Sequence, residues 1–179
     1  MATLIAAPLR AFLRAAVAAA ALTLCMPVKA QPTDTQVKAA FLPRFARYAS
    51  WPAPAMPKGS NPFVLCVIGS DPFGNLLDSA ARTQSVDGRR IVVRRTDNAT
   101  SVDDCQIAFV AGARAGQLLA AIGAKPVLTV TDGANGHRGI IHFTLADGRV
   151  RFFIDQASAA RRGIQISSRL LALAVGVKQ

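Results

Sequence analysis

Three short, continuously apolar runs in the middle of the chain are typical of β-strands that are buried on both faces. They read FVLCVIG (Phe63–Gly69), CQIAFVAG (Cys105–Gly112) and KPVLTVTDG (Lys125–Gly133). A fourth run, RRIVVRR (Arg89–Arg95), has charged ends and is expected nearer to an edge of the sheet. Helices are predicted between the runs, one opening at Asp71-Pro72 and one over about 115–122. Strands that alternate with helices indicate a mostly parallel sheet.

The pattern changes in the segment IIHFTLADGRVRFFID (Ile140–Asp155), where two strand-like runs meet at Asp147-Gly148. That dipeptide is a strong hairpin signal, so an antiparallel pair of strands should extend the sheet. A short helix ended by Gly163 and a last helix capped by Ser167 are predicted to follow. The sequence therefore predicts an α/β fold, a three-layer sandwich whose mostly parallel sheet ends in a C-terminal antiparallel hairpin.

An opening helix is predicted over about 35–50, and Pro43 lies inside its pattern. The residues that share its apolar stripe are Val37, Phe41 and Tyr48. An unbroken helix would place Arg44 in the same stripe, and a proline within a helix costs about 3 kcal/mol. We therefore expect a kink or restart at Pro43 that turns Arg44 and Arg47 toward solvent, a partner or an anionic ligand. Snorkelling of the arginine side chains is the alternative.

The first thirty residues have the pattern of a signal peptide. Arg10 and Arg14 precede an apolar run over 15–26, and Val28-Lys29-Ala30 offers small residues at the cleavage positions. We predict cleavage after Ala30 and a single exported domain over 31–179. A retained membrane helix is the first alternative, but the run is shorter than the roughly 20 residues that a span requires.

A lipoprotein anchor at Cys25 is the second alternative, and the bulky Leu24 before it disfavours that site. No later stretch is apolar over a sufficient length to span a membrane, so a soluble exported protein is expected.

The net charge of the chain indicates which kinds of partner it could bind. The formal net charge is +11, and it becomes +8 without the leader, which holds three of the 21 basic residues and none of the ten acidic ones. An exported protein meets little nucleic acid, so nucleic-acid binding is not expected. Anionic headgroups, an acidic protein or a small anionic ligand are the expected counterparts, and a solvated basic surface is the alternative.

Few residues suit catalysis. There is no glutamate, and several aspartates occupy cap or turn positions. The two histidines and the cysteine spacing do not make a zinc site, and no serine lies in a G-x-S-x-G elbow. His142 falls on the polar side of its strand and is expected to be solvated. No enzyme activity, metal or cofactor is predicted.

Cys66 and Cys105 lie in two predicted strands and are expected to meet across neighbouring elements. In an exported protein that predicts a disulfide. It would close a loop of about forty residues and stabilise the fold by roughly 3–4 kcal/mol. Two buried free thiols are the alternative.

Four segments together resemble the YfiR family of periplasmic regulators, over about Gln36–Val175. They read VKAAFLPRFARYASWP, FVLCVIGSDPFG, DCQIAFV and VRFFIDQASAARRGIQISSRLLALA. The resemblance implies a non-enzymatic, dimeric α/β protein that holds inactive the periplasmic part of an inner-membrane diguanylate cyclase. An outer-membrane lipoprotein sequesters some members. The family's disulfide falls on Cys66 and Cys105, whereas a second bridge found in some members has no counterpart here.

Two functions follow as hypotheses. The first is a regulator that acts by contact, for which the expected surface comprises Arg44, Arg47, Tyr48 and Trp51; Trp51 as an ordinary core residue is the alternative. The second is a binding protein for a small anion at the carboxyl ends of the parallel strands. The residues expected to line that pocket are Asp71, Phe73, Arg151, Ser168 and Arg169.

Overall fold

The computed structural model describes residues 31–133 and 136–179. The predicted leader and its cleavage position lie outside the described residues. The helices are α1 (Asp34–Phe45), α2 (Asn75–Arg82), α3 (Ala115–Ile122), α4 (Gln156–Arg161) and α5 (Ser168–Leu173). The strands are β1 (Ala49–Ser50), β2 (Phe63–Gly69), β3 (Ser85–Val86), β4 (Arg89–Thr96), β5 (Ile107–Ala111), β6 (Leu128–Asp132), β7 (Ile141–Ala146), β8 (Arg149–Asp155), β9 (Gln165–Ile166) and β10 (Gly176–Lys178).

The main sheet has eight strands in the order β10-β8-β7-β6-β5-β2-β4-β3. The strands from β4 to β7 along this order run parallel, whereas β7 and β8 pair antiparallel. Asp147 and Gly148 join that pair with φ angles of 52° and 66°, as a two-residue hairpin turn requires. The predicted mostly parallel sheet with a C-terminal hairpin is confirmed. β4 lies next to the edge strand β3, as its charged ends indicated.

Helices cover both faces of the sheet, which gives the predicted three layers. On one face, α1, α2, α4 and α5 contribute residues to the larger of two apolar clusters. On the other face, α3 and a 3-10 turn over Ala99–Val102 form the smaller cluster. β2 supplies both, with Leu65 on the first face and Ile68 on the second. This double burial explains why β2 is apolar at nearly every position.

The course of α1 differs from the prediction. The helix runs through Pro43 and ends at Phe45, and a 3-10 turn over Ala46–Tyr48 follows it. Both the predicted interruption at Pro43 and the predicted end near Ser50 are wrong. The proline lacks a single N–H, so the helix loses one hydrogen bond, to the carbonyl of Ala39, and continues for two more residues.

The buried stripe of α1 also differs from the one read in the sequence. Its buried members are Ala39, Leu42, Pro43 and Phe45, whereas Val37 and Phe41 are only half-buried. Arg44 is two residues from Leu42, about 200° around the helix, and is therefore exposed without any kink. A capping box between Thr33 and Gln36 fixes the start of the helix.

α2 begins later than predicted, at Asn75 rather than Pro72. The carboxylate of Asp71 accepts hydrogen bonds from the N–H groups of Phe73 and Gly74, at 2.8 and 3.3 Å. These bonds hold the chain in a turn, and Gly74 then adopts a φ of 48° that favours glycine. Because of this turn, α2 begins three residues after Pro72.

Cys66 on β2 and Cys105 just before β5 form the predicted disulfide, with their Cα atoms 5.9 Å apart. Both residues are buried in the smaller cluster. The bridge thus links two neighbouring strands beneath the second helical layer.

Within the described ranges, no helix combines the length and the apolar character needed to cross a bilayer.

Candidate functional site

A cleft of about 350 Å³ lies where the 3-10 turn after α1 meets the start of α5. We call it the junction cleft. Its lining residues are Arg47, Tyr48, Ser167, Ser168 and Arg169. Four of these five were predicted as site residues, two for each of two different surfaces. The fold brings them together.

Pairing between β1 and β9 builds the junction cleft. The two strands run antiparallel with Ala49 opposite Ile166, and the N–H of Ser167 donates to the carbonyl of Tyr48 at 2.8 Å. The hydroxyl of Ser167 also accepts from the N–H of Leu170 as the N-cap of α5, which was predicted. The side chain of Leu170 is buried in the larger cluster, so the cleft rests on a packed base.

The junction cleft is basic. Arg47 and Arg169 are exposed, and among the described residues no carboxylate lies within 4 Å of either guanidinium. Guanidinium groups bind carboxylates and phosphates with two parallel hydrogen bonds, and the hydroxyl of Ser168 adds a further donor. The tyrosine and serine hydroxyls and the two guanidinium groups of this lining can all donate hydrogen bonds to a bound anion.

A wider groove of about 750 Å³ adjoins the junction cleft and shares Arg47 with it. It lies between β1 and the turn from α2 to β3, and Ser50, Met56 and Asp87 also line it. Trp51 borders this groove but is only 8% exposed. Its indole N–H donates to the carbonyl of Gln106 at 2.9 Å, and its ring packs edge-on against Phe63. Trp51 is therefore mainly a core residue.

Gln106 was not singled out in the sequence, yet it holds the proline-rich connector between β1 and β2, over residues 52–62, onto the sheet. Its side-chain oxygen accepts from the N–H of Val64 at 2.8 Å, and its amide nitrogen donates to the carbonyl of Ala55 at 3.0 Å. Because Gln106 is buried, both bonds are shielded from water. The signal was a lone polar residue inside the apolar run CQIAFVAG.

Asp71 and Phe73 have structural roles at the other end of β2. Arg95 donates to Asp71 at 2.7 Å and to Asp78 at 2.6 Å, so one guanidinium joins the turn to α2. Partial burial would raise the pKa of Asp71, but the bond from Arg95 and the two backbone N–H groups outweigh it and lower that pKa. The pKa of Asp78 is lowered chiefly by its bond from Arg95. Phe73 is buried edge-on against Phe109.

Arg44 and Arg151 are both exposed, but only Arg44 is near the junction cleft in sequence, one helical turn before Arg47. Arg151 alternates with Phe152 along β8, and Phe152 packs against Phe41 of α1. Arg151 therefore lies on the opposite face of the sheet and does not join the cleft.

A third cleft, of about 350 Å³, lies at the carboxyl end of β6, where a pocket was predicted. Lys38 of α1 and Asp132 form an ion pair of 2.8 Å on its wall. The residues predicted to line such a pocket are absent from its lining.

His142 is buried, with 7% exposure, so the expectation of a solvated side chain is wrong. Its Nδ1 lies 2.9 Å from the hydroxyl of Thr131, which also accepts from the N–H of Gly139 at 2.8 Å. Burial lowers the pKa of His142, the charge of Arg138 lowers it further, and Asp132 opposes them. His142 therefore stays neutral at neutral pH and anchors the segment after β6.

Across 31–133 and 136–179, no three His, Cys, Asp or Glu side chains are grouped to hold a metal ion.

Comparison with known protein families identified one matching model, described as YfiR/HmsC-like, over residues 35–175. The match includes nearly all of α1 and every element from β1 to α5. No curated protein matches the chain.

Proposed function

The chain belongs to the YfiR/HmsC-like family, and on that premise we propose that it binds the periplasmic part of an inner-membrane diguanylate cyclase and holds it inactive. The family is periplasmic, and its members regulate diguanylate cyclase signalling rather than catalyse a reaction. The observation that carries the proposal is the family match across nearly all of the described fold.

The junction cleft and Arg44 beside it supply the contact surface in this proposal. Arginine and tyrosine are enriched at the energetically important positions of protein interfaces. Arg47 and Arg169 are exposed and have no carboxylate partner within the described chain, so an acidic group of the cyclase would meet little competition. Tyr48 is half-buried and packs against the larger cluster, which holds its ring in place.

The resemblance extends the proposal to further partners. The protein would act as a homodimer, and an outer-membrane lipoprotein would sequester it and so release the cyclase. Binding experiments with a second copy of the chain and with the lipoprotein test these assignments.

A small anionic ligand is a second candidate for the junction cleft. Two guanidinium groups and the hydroxyl of Ser168 line a cleft of about 350 Å³, which is the size of a site for a small molecule. The two functions are compatible if the ligand changes the affinity for the cyclase.

The first test measures binding to the periplasmic domain of the cyclase by calorimetry. We expect the double variant Arg47→Ala/Arg169→Ala to weaken binding at least tenfold. The matched control, Arg82→Ala/Arg90→Ala, removes two exposed arginines elsewhere and should bind as the unaltered protein does. Deletion of the protein should also raise cellular cyclic-di-GMP. Unchanged cyclic-di-GMP together with no measurable binding would refute the proposal.

The second test titrates phosphate and citrate into the purified protein. Heat of binding that disappears in Arg47→Ala/Arg169→Ala, and persists in the control variant, supports the anion site. Heat that is equal in both variants would show that these anions bind elsewhere.

A further inference from the structure

The second helical layer does not extend over the C-terminal hairpin. The smaller apolar cluster contains residues of β2, β5, α3 and the 3-10 turn, but none of β7 or β8. The segment after β6 covers that strand, because the hydroxyls of Thr129 and Thr131 accept hydrogen bonds from the N–H groups of Ile140 and Gly139. The side of β7 and β8 that faces away from α1 has no helix packed against it within the described chain.

We call this region the open hairpin face. Its members are Thr144, Arg149, Arg151 and Phe153. The register pairs Thr144 with Arg151, and alternation places the side chains of Arg149 and Phe153 on the same side as Arg151. Their neighbours Phe152 and Ile154 point the other way and are buried in the larger cluster.

Like charges collect on the open hairpin face. Arg149 and Arg151 are two residues apart on one side of β8, and the guanidinium of Arg138 lies 5.3 Å from the centre of the Phe153 ring. Among the described residues no carboxylate lies within 4 Å of these three arginines. Neighbouring like charges on a sheet repel each other, so an external anion would stabilise this arrangement.

The acidic groups of the hairpin do not neutralise these arginines. Asp155 caps α4, where it accepts from the N–H of Ser158 at 2.7 Å, and it pairs with Lys178 at 3.4 Å. Asp147 lies in the exposed turn and makes no ion pair within the described ranges. The face therefore keeps an excess of positive charge.

A cleft of about 660 Å³ continues the open hairpin face toward β10, the edge strand of the sheet. Its lining includes Arg138, Phe153, Gly176 and Lys178. A Cβ atom at Gly176 would come within 2.8 Å of the Phe153 ring, so the strand passes close to that ring. β10 pairs with β8 on one side only, and its other side has no strand beside it in the described chain.

We propose that the open hairpin face and the edge strand β10 form a docking surface for an acidic, extended segment of another protein. Charge complementarity favours carboxylates opposite Arg138, Arg149 and Arg151. An exposed sheet edge accepts an extended peptide as an added strand, whose alternate side chains then lie over one face of the sheet.

A lipid surface fits this region less well, because the aromatic residue is recessed. Membrane-binding surfaces present protruding apolar side chains, whereas Phe153 is half-buried beneath Arg138 and borders a concave cleft. The open hairpin face lies on the side of the sheet opposite α1. The proposal therefore goes beyond the function assigned to the junction cleft and does not depend on the identity of the cyclase.

The test titrates the ¹⁵N-labelled protein with a synthetic ten-residue peptide in which aspartate alternates with valine. A control peptide carries asparagine in place of each aspartate. We expect the acidic peptide to shift the amide signals of β7, β8 and β10 selectively. Arg149→Gln/Arg151→Gln should weaken binding at least fivefold, whereas Arg82→Gln/Arg90→Gln should leave the affinity unchanged.

Several results would overturn the proposal. They are equal weakening by the two double variants, shifts spread over the whole surface, equal binding of the asparagine peptide, and no binding at about 0.15 M salt. Binding to phosphatidylglycerol vesicles but not to the peptide would also overturn it in favour of a membrane surface. The single variant Arg151→Glu gives a second readout of the same face. Thermal unfolding of each variant checks that the fold is retained.

Discussion

The two halves of the main sheet differ in how their faces are covered. β2 and β5 have helices over both faces and are joined through a disulfide, whereas β7 and β8 have helices over one face only. The sequences record this difference: β2 and β5 are apolar throughout, while β8 alternates between exposed arginines and buried aromatic and aliphatic residues. Stability should therefore concentrate in the β2–β5 half, which leaves the hairpin half free to present binding groups.

The largest effect should come from truncating an aromatic residue in the covered half. Phe109 of β5 is fully buried and contacts Phe73, so Phe109→Ala should lower the free energy of unfolding by about 3–5 kcal/mol. Phe153 of β8 is half-buried on the open hairpin face, and Phe153→Ala is the matched control, with an expected loss below about 1.5 kcal/mol. Urea unfolding measures both. Equal losses would contradict the difference between the halves.

Removing the disulfide should have the next largest effect. Cys66 and Cys105 are 39 residues apart, and a loop of this length predicts a loss of about 3–4 kcal/mol in Cys66→Ala/Cys105→Ala. The physical reason is that the unfolded chain regains the entropy that the bridge had removed. Urea unfolding of the unaltered protein with and without a reductant is the control. A midpoint that does not move with reductant would show that the bridge does not stabilise the covered half.

Gln106→Leu should have an intermediate effect. The substitution leaves the N–H of Val64 and the carbonyl of Ala55 without their partner, which costs about 1–3 kcal/mol. Trp51 is the only tryptophan and donates to the carbonyl of Gln106, so its fluorescence should shift if the connector loosens. Gln117→Leu, on the exposed side of α3, is the control and should leave both readouts unchanged.

The same comparison explains which features the sequence could predict. Burial on both faces produces an uninterrupted apolar run, and Asp147-Gly148 specifies its turn locally, so the sheet, the hairpin and the bridge between Cys66 and Cys105 were all predicted. The buried stripe of α1 and its end at Phe45 were not predicted correctly. Which residues of the helix are buried depends on contacts with Phe143 and Phe152, which lie far along the chain.

The composition of the candidate site also depended on distant pairing. Arg47 and Tyr48 were assigned to one surface, and Ser168 and Arg169 to another. Only the pairing of β1 with β9 brings these residues into one cleft, and no local pattern specifies the partner of a two-residue strand. Arg151 was expected in a pocket at the carboxyl ends of the parallel strands, whereas the register of β8 places it on the open hairpin face.

The smallest predicted effect is on the stability of the folded protein at acidic pH. The folded protein lowers the pKa of Asp71 against its partial burial, through Arg95 and backbone N–H groups, and that of Asp78 chiefly through Arg95. A carboxyl group whose pKa is lower in the folded state stabilises the protein above its unfolded pKa of about 3.9, and this contribution is lost as the pH falls through the folded value. Stability should therefore decrease below about pH 4, and Arg95→Gln should make that decrease shallower.

Arg151→Gln is the matched control in the hairpin half. Because Arg151 has no carboxylate within 4 Å among the described residues, this substitution should leave the acid dependence of stability unchanged. At pH 7 the loss in Arg95→Gln should stay below about 1 kcal/mol, since the ion pairs are partly exposed to water. Some acid dependence should remain in every variant. Asp155 also has a lowered pKa, because its bonds from Ser158 and Lys178 outweigh the effect of burial. Thermal unfolding between pH 2 and 7 measures the slopes. If Arg95→Gln and Arg151→Gln gave the same slope, the ion pairs of the covered half would not be the source of its acid sensitivity.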